Sequence, residues 1–175
     1  MKDYAALAAQ TGIGKTPQLC QDALIEMLKE LLGDKKFSGQ ESRKHLKFYK
    51  QDLPIPTEDD SDSDLDGAQA PYVIVQMTGG TIETDNDPQI VEFSIIICAY
   101  DNGLDRSAWL DVENIKEDII QRVCSAPYFG GAFTILKPIA WAMQADDTHP
   151  YYYGAVNLQC TVPAMTQDTV LKEYL

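Results

Sequence analysis

Three stretches of the chain carry residue types whose spacing could do chemistry. The first, AAQTGIGKT, places Gly14, Lys15 and Thr16 as the end of a loose phosphate loop if Ala9 stands where the first glycine belongs. Such loops work because a strand delivers backbone N–H groups to the phosphates, while the lysine and hydroxyl serve the phosphates and Mg²⁺. Here DYAALAAQ reads as a helical turn or loose terminus, and Pro17 removes an N–H just past the threonine. No apolar strand ending in aspartate follows at a useful distance, so a nucleotide site is not expected.

The second stretch, Asp62, Asp64, Asp66 and Gly67, opens like a calcium loop, in which alternating carboxylates converge on a hard cation and glycine permits the sharp turn. The position that should supply the closing bidentate glutamate is Val73, inside an apolar run with no flanking helix. No metal is expected. The third set is the four cysteines and two histidines. Cys20, Cys98, Cys124 and Cys160 stand singly, with no CxxC pair and both histidines far away, which builds neither a zinc site nor a redox motif. Cys98 and Cys160 lie in strand patterns and Cys20 and Cys124 on helical faces, so all four are expected as reduced, buried thiols. His45 and His149 have no nucleophile nearby in sequence, and neither a GxSxG elbow nor an HExxH helix is present. The chain is not expected to be an enzyme or to hold a cofactor.

The elements that must position these residues come next. At 175 residues with 45% hydrophobic and 23% charged side chains, the chain suits one globular domain. Its formal charge of -13 opposes any broad grip on nucleic acid or anionic lipid. No apolar run approaches the ~18 residues of a membrane span, and the start MKDYAALAAQ lacks a basic, then apolar, leader pattern. Residues 1–16 are read as a flexible extension and 17–175 as the domain.

Thr16 and Pro17 form a helix start, and Cys20, Ala23, Leu24, Met27, Leu28 and Leu31 recur at helical spacing up to Gly33, expected as a left-handed stop. The basic segment 34–50 includes Leu46, Phe48 and Tyr49, part of which is expected to extend as a strand. Six acidic residues between Glu58 and Asp66 repel one another, giving a solvated acidic loop over 57–67. PYVIVQMT and IVEFSIIICAY follow as strands, the second with Val91, Phe93, Ile95, Ile97 and Ala99 on one face. The connection GGTIETDNDP between them is expected as a long loop over 79–89, an arm. A second helix places Trp109, Val112, Ile115, Ile119 and Val123 on its buried face. AFTILKPIAWAM and YYYGAVNLQCTVPAM return as strands, the latter burying Tyr152, Val156, Leu158, Cys160 and Val162 and leaving Tyr151 and Tyr153 opposite as exposed contact anchors. The sum is an α+β fold: a mainly antiparallel sheet of four to five strands with two helices on one face.

In that order, LIEMLKELL, FYKQDLPIP before an acidic loop, PYVIVQMTGG, VEFSIIICAYDNG, NIKEDIIQRV, LKPIAWAM and HPYYYGAVNLQCTVP resemble the tail terminator proteins of long-tailed bacteriophages and prophages, also called tail completion or minor capsid proteins. The resemblance covers residues 17 to 165 and leaves the stretch before Pro17 unmatched. It implies a hexameric ring of this chain seated on the last ring of the tail tube. That ring stops tube growth and offers a surface to the head connector, in the virion and, during assembly, in the host cytoplasm. No catalysis is implied. The contact candidates are Gly79, Gly80, Thr81, Glu83 and Asp85 of the hairpin, Asp62 and Asp64 of the acidic loop, and Tyr151 and Tyr153. A head-tail joining or head-closure neck protein and, more remotely, a cytosolic nucleotide-binding protein are the other readings.

Overall fold

The computed structural model describes residues 15–34, 45–55 and 70–164. Thr16 is extended (φ -116°, ψ 158°), and its hydroxyl accepts the Leu19 N–H at 3.2 Å, so Pro17 can open helix α1 (Pro17–Leu32) without loss of a needed donor. Cys20, Leu24, Met27 and Leu28 face the core as their spacing predicts, joined by Gln21, Ile25 and Leu32. Gly33 is a correction. It is right-handed (φ -59°) and donates its N–H to the Lys29 carbonyl at 2.8 Å, so it prolongs the helical ladder where a left-handed reversal was expected.

Helix α2 (Ala108–Ser125) buries Ala108, Asp111, Val112, Ile115, Lys116, Ile119 and Val123. Trp109 is 49% exposed, contrary to its expected place on that face. One residue is a 100° step around the helix, which turns Trp109 off the stripe that Ala108 and Val112 define. Cys124, one step past Val123, is exposed for the same reason, while Cys20, Cys98 and Cys160 are buried thiols as expected.

The sheet has six strands: β1 (Lys47–Lys50), β2 (Tyr72–Thr81), β3 (Gln89–Tyr100), β4 (Tyr128–Phe129), β5 (Phe133–Met143) and β6 (Tyr151–Val162), in the order β1-β2-β3-β6-β5-β4. All pairings are antiparallel except β1 with β2, which run parallel. The expected four to five strands therefore become six in a mixed sheet. β4, at two residues, is too short to show any periodicity, and the parallel pair is closed by a long connection over 51–71 that leaves no hairpin signal.

Both helices cover one face, where Val73, Val75, Val91, Phe93, Ile95 and Ile97 meet Val156, Leu158, Cys160 and Val162. Phe93, Ile95 and Ile97 are essentially inaccessible, and each such side chain is worth roughly 1.5–3 kcal/mol of burial. α2 lies close on β6 at Gly154, where an added Cβ would lie 2.7 Å from Val112 Cγ1. The other face carries a smaller cluster of Ala70, Tyr72, Ile74 and Cys98, with Tyr49, Leu53, Ile96, Tyr100, Tyr151 and Tyr153 packed around it.

Candidate functional site

The hairpin candidates divide between strand and turn. Gly79, Gly80 and Thr81 were expected in a loop, but they continue β2 and pair with Glu92, Val91 and Ile90 of β3. A bulge between Met77 and Gly79 takes up the extra residue Thr78, whose hydroxyl bonds the Glu92 carbonyl at 3.3 Å. A Cβ on Gly80 would meet the Ile90 carbonyl oxygen at 2.7 Å, so glycine permits the close crossing of the two backbones. The remaining turn, Ile82 to Pro88, holds Glu83 and Asp85 exposed, with Asn86 left-handed (φ 71°) and the Thr84 hydroxyl donating to the Asp87 carboxylate. The expected loop is thus a two-stranded ribbon with an acidic turn.

Tyr151 and Tyr153 are half-buried, not the exposed anchors expected. Their rings stack on one another at 6.4 Å, and Tyr151 meets Tyr100 edge-on at 5.1 Å. Beneath them Cys98 sits against Tyr72 and Tyr153. Burial pushes the Cys98 thiol up to about 11, and burial followed by the Cys98 neighbour pushes the Tyr72 hydroxyl up as well. These tyrosines are committed to a second core, because strand alternation places Tyr72, Cys98 and Tyr153 side by side on one face. Asp62 and Asp64 lie outside the described residues, as does Gly14.

Thr16 is engaged as a helix cap, and the Lys15 ammonium lies 6.0 Å from the Phe133 ring centroid. Neither is arranged as a phosphate cradle. Among the described residues no three His, Cys, Asp or Glu side chains come together as a metal site, and no helix is long and apolar enough to cross a membrane.

Two surface features were not read from the sequence. Gln51, left-handed at φ 71°, uses its side-chain amide as a substitute strand. Its Oε1 accepts the Met77 N–H at 3.0 Å, and its Nε2 donates to the Met77 carbonyl at 3.1 Å. Gln21 on α1 locks that amide, donating to Gln51 Oε1 at 3.0 Å and to the buried Val75 carbonyl at 2.8 Å. The second feature is an open hollow of about 520 Å³ between the start of α2 and the β5–β6 turn, bordered by Arg106, Trp109, Met143, Asp147 and Tyr152. Arg106 bonds the Asp147 carboxylate there, and the His149 N–H together with Arg106 holds that carboxyl below its ordinary range. Deeper along α2, buried Lys116 lies 3.7 Å above the Trp141 ring and bonds Glu113 at 2.8 Å.

No protein-family profile matches the chain, and no curated protein does. Among solved structures it is similar to a chain that carries no functional name, at 15% identity over 88% of this chain and 100% of that one, with a TM-score of 0.46. It is also similar, at 12% identity over 82% of this chain and 94% of the other, with a TM-score of 0.38, to a chain of the virion of a native gene transfer agent particle.

Proposed function

We propose that this protein is a structural virion component that caps the tail tube of a long-tailed phage or prophage, stops its polymerisation and presents a surface for joining to the head. It does so without catalysis or a cofactor. The reading starts from the resemblance of residues 17 to 165 to tail terminators. The observation that carries it is the β2–β3 ribbon: from Thr78 to Asn86 every residue is exposed, and the ribbon end is paired backbone beyond the main core. Extended backbone held out in this way suits contact with a partner, because it offers main-chain groups and alternating side chains without further ordering cost.

The partners in this reading are other copies of the chain in a ring, the tube protein below and the connector above. A heterologous contact that closes on itself buries the same two surfaces in every copy. The net charge of -13 fits a component beside a DNA conduit, since passing genome is repelled by it. Deleting the gene from its phage or prophage and imaging the particles by negative-stain electron microscopy tests the proposal. Overlong, headless tails beside filled heads are expected. Tails of normal length beside unattached heads would assign the protein to the head side of the neck, and intact virions would overturn the structural reading.

A further inference from the structure

We propose that the open edge of β5 is the docking site for the acidic β2–β3 ribbon of a second copy of this chain, so that one sheet continues into the next, head to tail. The inference rests on the ring reading and names its interface. β4 pairs only with Phe133 and Thr134, so β5 from Leu136 onward has β6 on one side and no strand on the other among the described residues. The Gln144 N–H bonds the Tyr153 carbonyl at 3.1 Å. Because backbone groups alternate along a strand, Ala142 and Ala140 then face β6, while Met143 and Trp141 aim their N–H and C=O groups at the free side. An unpaired row of this kind is a template for another strand.

The opposite margin of the same sheet is open over a similar length among the described residues. β1 stops in register with Val75, Gln51 covers Met77, and among the described residues no strand flanks Thr78 to Thr81. Four residues with no described strand on their outer side thus face five, Ile139 to Met143, on the other. Side chains match as well. The β5 edge is flanked by Trp141 (55% exposed), with Trp109 at the end of the adjoining helix, and Lys137 is the only charge in β5. The ribbon turn offers Ile82, 55% exposed, for the aromatic surface, and Glu83, Asp85 and Asp87 for the lysine, with no basic residue between Gly79 and Glu92. Both halves of the contact are therefore present on each copy, at opposite ends of the sheet, with Lys137 of one half available to the carboxylates of the other. That arrangement is heterologous and propagates until it closes.

The test uses the full chain with a benzophenone amino acid at the exposed position Ala140, as an equal mixture of unlabelled and ¹⁵N-labelled protein at high concentration. Irradiation is expected to give a mixed-isotope cross-link from position 140 to residues 78–88. Lys137→Glu alone, and Glu83→Lys with Asp85→Lys alone, should each lower its yield about tenfold, and mixing the two variants should restore it, since every contact then pairs opposite charges. All three side chains are exposed, so unchanged circular dichroism and melting are expected and verify that the variants fold. Cross-links to any other segment, none at all, or yields indifferent to the charge swap would overturn the proposal. Normal virions on gene deletion would remove the tail role and leave a positive cross-link standing. Overlong tails without the cross-link would remove this interface alone.

Discussion

Replacing Gly154 by alanine probes how tightly α2 is seated on the sheet. Gly154 is buried in β6 between Ile97 of β3 and Met143 of β5. A Cβ there would lie 2.7 Å from Val112 Cγ1 and 3.2 Å from Met143 Sδ. Carbon contacts favour 3.5–4.0 Å, so the valine is about 1 Å too close. Met143 can yield, because its unbranched chain has several rotatable bonds. Val112 cannot, because it is fully buried and a β-branched residue in a helix holds essentially one rotamer. α2 must therefore lift or tilt. Overpacking of this kind costs roughly 1–3 kcal/mol, from which about 0.4–1 kcal/mol returns because alanine restricts the unfolded chain. The net expectation is a loss of about 1–2 kcal/mol, and at ~2–4 °C per kcal/mol for this length, a Tm lower by roughly 2–8 °C. Near-UV circular dichroism on heating measures it. Adding Val112→Ala should recover part of the loss, so the double variant is more stable than the sum of the singles by about 1 kcal/mol. A Gly154→Ala protein as stable as the parent, or strictly additive singles, would refute the argument.

Other expectations follow from single side chains. Gln51→Ala removes the acceptor of the Met77 N–H, so hydrogen exchange at Met77 should accelerate at least about tenfold while amides of β3 keep their protection; equal protection at Met77 would refute the substitute strand. A thiol reagent at pH 8 should modify Cys124 alone in the folded protein and all four cysteines after denaturation. Stability should fall as pH rises from about 9 toward 11. The folded state holds the Cys98 proton to about 11 against an ordinary 9.0, so between those values the unfolded chain releases it first and unfolding is favoured; the raised Tyr72 hydroxyl carries the same sign to higher pH. Cys98→Ala should lessen that alkaline loss without abolishing it, because the Cys160 thiol is raised as well by its Cys20 neighbour and by burial; measured as urea midpoints across pH 8–11, an unchanged slope would remove Cys98 as a source.

What could be read from the sequence was whatever repeats within one element. The alternation Val91, Phe93, Ile95, Ile97 assigns β3 and its buried face without knowledge of any partner, and the three- and four-residue steps of α1 do the same. Even there, resolution stops at about one residue of helical rotation. Trp109 and Cys124 are apolar and adjacent to the stripe, and only the helix's actual seating on Gly154 decides that they turn outward. Tyr151 and Tyr153 show the limit for strands. Alternation puts them opposite Tyr152 correctly, but whether that face is wet depends on Tyr72 and Cys98, which arrive from β2 and β3.

The candidate assembly surface was legible only at its tip. Glu83 and Asp85 announce an exposed turn by their own chemistry, whereas Gly79 to Thr81 read as loop because glycine pairs weaken strand propensity, and their pairing is imposed by Ile90 to Glu92 across the ribbon. Open edges are less legible still. An unpaired strand side is a property of what is missing beside it, so Ile139 to Met143 look in sequence like any strand, with alanines and a tryptophan where a central strand would also place them. Two features mark the difference physically. Pro138 cannot donate to a ladder, and Lys137 beside it is an exposed basic residue, the combination that limits an edge to the residues after it. Among the described residues, the five left uncovered are one more than the four left open past Gln51. Since β1 and β4 are both too short to cover their neighbours, the sheet is unfinished at both margins among the described residues, which is what the proposed contact between copies uses.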